Sequence, residues 1–145
     1  MSRTQSTARS AQLTLTLRVD PEAAAVRLVR GQLRSLLQDH GFAAATVEAL
    51  LLGLDEALMN AVFHGGSAAR REPVELTVEL HADRIAFLVA DRGEFSARDS
   101  APQNALPEDD SESGRGMFLM RSTMDEVTFE PREGGGTRVR LVKRR

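Results

Sequence analysis

After Pro73 the hydrophobic pattern changes period: Val74, Leu76, Val78 and Leu80 alternate with Glu75, Thr77, Glu79 and His81. Alternation at every second residue gives a strand with one face on a core and the other in solvent. Upstream of that switch the spacing is helical. Val26, Val29, Leu33, Leu36 and Leu37 share one stripe, and Val47, Leu50, Leu51, Leu54, Leu58, Ala61 and Val62 share a second. Asp20 is expected to cap the first helix, with Pro21 at its first position, where a missing N–H costs nothing, and Gly41 to stop it. Gly65-Gly66 is expected to end the second.

The remaining segments complete a sheet. Residues 13 to 19 (LTLTLRV) alternate like a half-buried strand, and Asp83-Arg84 reads as a tight turn from the 74 to 80 strand into Ile85 to Ala90, a short apolar run that suits a central strand. Met117 to Met124 fits a short helix. Val127 and Phe129, then Val139 and Leu141, mark two further strands around Gly134-Gly135-Gly136. Between them, Arg92 to Ser113 has no periodicity and carries Glu94, Asp99, Glu108, Asp109, Asp110 and Glu112, as a lid or a disordered segment does. Helices early and strands mostly late predict an α+β chain: a two-layer α/β sandwich whose mixed, mainly antiparallel sheet has helices on one face.

At 145 residues with 41% hydrophobic side chains, residues 12 to 145 are expected to form one domain. The polar start MSRTQSTARSA, with Arg3 and Arg9 and neither an apolar stretch nor an acidic residue, excludes a secretory signal and reads as a disordered leader over residues 1 to 11 in preference to an organelle transit peptide. A net charge of −2 supplies no overall basic field for nucleic acid or an anionic membrane. Arg138, Arg140, Lys143, Arg144 and Arg145 form a local basic run, but alternating charges on a strand more often make a solvated face. The chain has no cysteine, which removes disulfides, thiolate metal sites and cysteine nucleophiles and fits a reducing, cytoplasmic setting. Its longest apolar run, Ile85 to Ala90, is far short of the roughly 20 residues that span a bilayer.

Several polar residues fall where chemistry could use them. Glu56 and Asn60 are four apart on the second helix and share a face, and His64 extends the row by a turn. A solvated helix face has the same spacing. The row, however, points away from the apolar stripe and is bordered by Ala49, Gly53 and Ala57, small residues that let another group approach the backbone. Phosphoryl transfer would use such a pair. The amide oxygen of Asn60 suits Mg²⁺, which takes few protein ligands, and Glu56 could accept a proton from an attacking hydroxyl.

Asp91 closes the apolar strand and is followed by Arg92-Gly93. A carboxylate there can accept a hydrogen bond from an exocyclic amine such as that of adenine, and Gly93 lets a flat ring lie against backbone; the same D-x-G is also a common turn. Gly114-Arg115-Gly116 precedes the predicted 117 to 124 helix, so its N–H groups and the Arg115 charge could hold phosphate, although a hinge reads the same way. Thr137 places a hydroxyl directly after three glycines.

In order, E-x-x-x-N-x-x-x-H-G (Glu56 to Gly65), D-x-G (Asp91 to Gly93), G-R-G-M-F-L-M (Gly114 to Met120) and G-G-T (Gly135 to Thr137) resemble the Bergerat-fold ATPases of the gyrase and histidine-kinase superfamily. DEALMNAVFHG, and GRGMFLM followed by MDEVTF, look most like the bacterial anti-sigma-factor serine/threonine kinase branch. The resemblance implies ATP and Mg²⁺ as cofactors. It makes Asn60 the Mg²⁺ ligand and Glu56 the base, with Asp91 on adenine, Gly93 beside the ring and Thr137 near the base or its water. Gly114, Arg115 and Gly116 would close a lid, spanning about 92 to 116, over the phosphates. Many superfamily members continue D-x-G-x-G, whereas here Glu94, Phe95 and Ser96 follow Gly93.

The implied function is a cytoplasmic homodimeric kinase that binds a sigma factor and phosphorylates a small anti-anti-sigma (STAS-like) protein, without direct contact to nucleic acid or membrane. Two alternatives stay open at this point. One is a nucleotide-gated module that sequesters a regulator without phosphorylating it. The other is a detached histidine-kinase catalytic domain, which the absence of a dimerisation helix bearing a phospho-acceptor histidine disfavours.

Overall fold

The computed structural model describes residues 11–64, 72–92 and 112–145, apart from the side chains of residues 64 and 112–115. Residues 1–10 of the expected leader, the Gly65-Gly66 helix end, Gly93 and most of the expected lid lie outside that set. β1 (Leu13–Val19) leads into α1 (Ala23–Asp39) and α2 (Ala44–Met59), which continues as a π-helical turn, Asn60–His64. The hairpin β2 (Val74–Leu80) and β3 (Arg84–Asp91) follows, then α3 (Glu112–Thr123), β4 (Glu126–Pro131) and β5 (Thr137–Arg144).

The five strands form one sheet in the order β1-β2-β3-β5-β4, and every pairing in it is antiparallel. The mixed sheet anticipated from sequence is therefore antiparallel throughout its described strands, with β3 at its centre. The alternation of β2 decides which side is covered. Leu76 and Val78, with Phe87 and Val89 of β3 and Val139 and Leu141 of β5, join one core with Leu33, Leu37, Leu50, Leu54 and Leu58 of the helices. Each fully buried leucine is worth about 1.5–3 kcal/mol over an exposed one, so this single interface supplies the main apolar drive to fold.

The joint between α1 and α2 follows from Gly41. With φ at 83°, Gly41 turns the chain left-handed, its N–H reaches the Gln38 carbonyl, and the Phe42 N–H reaches that of Leu37. Those two bonds satisfy carbonyls that the helix end would otherwise leave without partners. Arg30 on Asp55 and Arg34 on Glu48 then bridge the two helices. The N-terminal cap differs from expectation. α1 starts at Ala23 with Glu22 in the extended N-cap position, while Asp20 accepts the Glu22 N–H through its backbone carbonyl in a preceding turn. Among the described residues no helix is long and apolar enough to cross a membrane.

Candidate functional site

At one end of the sheet β3 finishes and β5 begins, so Asp91 and Thr137 are register partners on adjacent strands. Both are buried, at 6% and 7% exposure. The glycines before Thr137 explain how the chain reaches that place. Gly136 has φ of 116°, and a Cβ on it would fall onto the Asp91 carbonyl oxygen and within 2.9 Å of Arg92 Cα. Only glycine lets the β4–β5 turn fold this closely over the Asp91-Arg92 backbone.

Arg92 fastens the same turn. Its Nη1 donates to the Gly135 carbonyl at 3.2 Å, and its Nε lies 3.5 Å from Glu72 Oε2. Sequence reasoning passed over this residue as the variable position of D-x-G. Nothing in its spacing announces that it reaches a turn 43 residues away.

Glu56 lies in the last turn of α2, and Asn60 opens the π turn; both are half-buried. Gly116, inside α3, packs directly over them. A Cβ there would stand 2.9 Å from Glu56 Oε2 and 3.9 Å from Asn60 Nδ2. Residues 56, 60 and 116, separated in sequence, are thus brought together, and the π turn packs against β3, which ends in Asp91.

Three sequence expectations change in detail. The helix of residues 117 to 124 begins earlier, at Glu112, so Gly114, Arg115 and Gly116 fall within α3 instead of in a turn ahead of it. The Arg115 side chain is outside the described set. The π turn breaks the α-helical period at Asn60, so the spacing that carried His64 into the Glu56 row no longer applies beyond it. The small border of that row does mark a close approach, but by a helix: a Cβ on Gly53 would collide with Thr123 Oγ1 and touch Met124 Cε at 3.0 Å.

The donor set fits a magnesium nucleotide. A buried carboxylate beside a buried hydroxyl, Asp91 beside Thr137, suits an amine of a flat base. Asn60 offers one neutral oxygen, and among the described residues no three His, Cys, Asp or Glu side chains are grouped to hold a metal. A cation relying on Asn60 would need phosphate oxygens for much of its shell, as Mg²⁺ commonly does.

Residues 19–143 match the Histidine kinase-like ATPase domain. The chain belongs to that family. The match spans every strand from the end of β1 to β5, and so includes Glu56, Asn60, Asp91, Gly116 and Thr137. Among curated relatives, the chain is 28% identical over 125 residues to the serine-protein kinase RsbW of Bacillus velezensis, covering 81% of this chain and 78% of that one. It is 28% identical over 134 residues to RsbW of Staphylococcus epidermidis, covering 87% and 84%.

Two solved structures share the histidine kinase-like fold. The RsbU and RsbW domains of Rv1364c from Mycobacterium tuberculosis match with a TM-score of 0.67 at 21% identity, over 91% of this chain and 32% of that one. A chain of the SiaB–SiaC complex from Pseudomonas aeruginosa matches with a TM-score of 0.69 at 12% identity, over 88% of each.

Proposed function

We propose that this protein is a cytoplasmic, homodimeric, ATP- and Mg²⁺-dependent serine/threonine protein kinase that acts as an anti-sigma factor and phosphorylates an anti-anti-sigma (STAS-like) partner. The observation that carries the reading is the meeting of Glu56 and Asn60 with Gly116 in a chain whose relatives are named serine-protein kinases. A complex between a similarly folded chain's protein and a second protein supports a protein partner.

Each residue has a distinct task in this scheme. Asp91 and Thr137 hold the adenine end, with Gly93 beside the ring. Asn60 offers its amide oxygen to Mg²⁺, and Gly114, Arg115 and Gly116 close on the phosphates. Glu56 takes the proton from the partner's attacking hydroxyl. Bound MgATP supplies the transferable phosphoryl group and neutralises charge on it; the chain contributes position and one base.

The test is incubation of the protein with labelled ATP, Mg²⁺ and candidate anti-anti-sigma proteins. Phosphoserine or phosphothreonine on a partner is the expected result. Tight partner binding that depends on nucleotide but leaves the partner unlabelled would replace the kinase with a nucleotide-gated binding module.

A further inference from the structure

The strand order β1-β2-β3-β5-β4 leaves the sheet two edges, β1 and β4. An open edge is a row of unpaired N–H and C=O groups onto which an extended chain can pair, and proteins guard such rows with charge, proline or a covering segment. The two edges of this sheet are guarded differently.

Bonds inside the sheet fix which backbone groups reach each edge. In antiparallel strands a residue's N–H and C=O point to the same neighbour, and successive residues point to opposite ones. The β2–β3 hairpin closes with the His81 N–H on the Arg84 carbonyl, so Glu79, Thr77 and Glu75 turn toward β3, while Leu80, Val78, Leu76 and Val74 turn toward β1. Leu13, Leu15, Leu17 and Val19, their register partners, use their backbone groups on β2. Thr14, Thr16 and Arg18 therefore aim theirs outward, and among the described residues no backbone group is bonded to them there.

The same phase at the other edge, set by the Arg132 N–H on the Gly136 carbonyl, sends out Val127, Phe129 and Pro131. That edge is guarded. Pro131 has no N–H to offer, and Glu126 and Glu130, each held by an arginine of β5, put charge along the strand. β1 has nothing comparable. Its sequence, LTLTLRV, contains no proline, no acid and one cation; its threonines are exposed, and Leu13, Leu15 and Leu17 are only half-buried.

We propose that β1 is a docking edge for an extended segment of a protein partner, which joins the sheet as an outer strand antiparallel to β1. Main-chain bonds to Thr14, Thr16 and Arg18 hold such a strand, and its alternate side chains give specificity. The chemistry that fits is visible in β2, which already covers the opposite side of β1. It sets Leu76 and Val78 beside Leu17 and Leu15, Thr77 beside Thr16 with the hydroxyls 3.3 Å apart, and Glu75 beside Arg18. Glu75 is engaged by Arg132, and among the described residues Arg18 has no ion-pair partner. The occupant therefore alternates apolar residues on the helix side with small polar ones on the other, and carries an acid beside Arg18. A second copy of β1 brings no acid to that place, so the charge pattern selects a different chain.

The docking edge goes beyond the proposed kinase activity and does not depend on it. Amide hydrogen exchange followed by NMR on the full chain tests it. The probe is a synthetic peptide of the β2 sequence, VELTVEL, and ATP affinity is measured on the same samples. In the free chain the amides of Thr14, Thr16 and Arg18 should exchange about tenfold or more faster than those of Leu15 and Leu17. The peptide should slow those three saturably and leave Val127 and Phe129 unchanged. Thr16→Pro removes an outward N–H and no bond to β2, so it should abolish the peptide's effect while ATP binding persists. Arg18→Glu should weaken peptide binding about tenfold, and a peptide with lysine replacing its first glutamate should recover it.

Should Thr16→Pro fail to fold, the charge exchange at Arg18 decides. Outward amides that are already slow in the free chain at every concentration would mean that the chain covers its own edge, and slowing that grows with protein concentration would mean that a second copy does. Either result overturns the proposal. So do a peptide that leaves the three amides fast, one that slows the β4 edge equally, and a charge exchange without recovery. Any of these with ATP binding intact leaves the nucleotide site standing; a wild type that binds no ATP while its β1 edge behaves as stated removes the kinase reading alone.

Discussion

The carboxylate of Glu56 lies where a side chain on Gly116 would have to begin: a Cβ at that glycine would come within 2.9 Å of Glu56 Oε2. The close approach joins the end of α2 to the first half of α3. It ties the position of the proposed base to a helix whose start borders the 92–111 segment.

Gly116→Ala should therefore separate folding from phosphoryl transfer. Alanine is preferred over glycine in a helix by about 1 kcal/mol, and the group it meets is the end of a side chain that can swing aside. Thermal stability should hold or rise slightly. Displacing the carboxylate by about 1 Å can cost on the order of 100-fold in rate, readable in single-turnover transfer. A wild-type rate in Gly116→Ala would mean that Gly116 does not set the position of Glu56.

Gly136→Ala should fail differently. Its φ of 116° disfavours any side chain, and its Cβ would meet backbone atoms of Asp91 and Arg92 that cannot swing away. A loss of about 2–4 kcal/mol in chemical denaturation is expected, together with weaker ATP binding. Gly135, at φ 104° but with nothing within 4 Å of its Cβ position, is the control; Gly135→Ala should cost about 1–2 kcal/mol from backbone strain alone. Equal losses in the two variants would remove the contact with Asp91 as the reason for the glycine.

Asp91→Asn should weaken nucleotide binding more than it disturbs folding, because it replaces an acceptor oxygen with an amide donor. A charge-assisted hydrogen bond is worth about 1.5–3 kcal/mol, or about tenfold to a hundredfold in affinity. Calorimetry with ATP decides the matter, and unchanged affinity would leave Asp91 as a strand-end residue.

Between α1 and α2, the hydrogen bond from Arg34 holds the Glu48 carboxyl below its ordinary value. A depressed carboxyl contributes stability above its unfolded pKa, and that contribution is lost as pH falls through the folded one. Arg34→Met should move the Glu48 titration back up toward the ordinary glutamate range by NMR and reduce the acid sensitivity of unfolding. Because the pair is exposed, stability at neutral pH should change little. A Glu48 titration unchanged by the substitution would deny the coupling.

Much of the fold was legible because period and burial agree. The alternation of Val74 to Leu80 appears as β2, and the stripe from Val47 to Leu58 as the buried face of α2. What escaped was set by partners distant in sequence. β5 inserts between β3 and β4, a pairing no local pattern encodes. α3 runs through Gly114 and Gly116 despite the low helix propensity of glycine, and at Gly116 the close approach of the Glu56 carboxylate leaves little room for a Cβ. The π turn at Asn60 and the reach of Arg92 to Gly135 are likewise tertiary features. The candidate residues Glu56, Asn60, Asp91 and Thr137 stand out as a set only through the ordered resemblance, since each alone has an ordinary structural explanation.

The proposed kinase and a passive binding module part company at Glu56→Gln. Glutamine keeps the size and reach of the side chain, and so its place beside Gly116, but it cannot accept a proton. ATP and partner binding should survive. Transfer should fall by about 10²–10⁴-fold, or about 3–5 kcal/mol of barrier, while stability should shift by about 0.5 kcal/mol or less. Asn60→Ala removes the proposed metal ligand and not the proposed base, so it should lower Mg²⁺-dependent ATP affinity as well as rate. Single-turnover transfer to the partner, with ATP affinity titrated in parallel at several Mg²⁺ concentrations, resolves the two variants. If Glu56→Gln transfers phosphate at the wild-type rate, the proton goes elsewhere and Glu56 is not the base. If neither variant nor wild type transfers phosphate while all three hold the partner, the chain acts by nucleotide-gated binding, with Asn60→Ala the variant whose grip on ATP depends least on Mg²⁺.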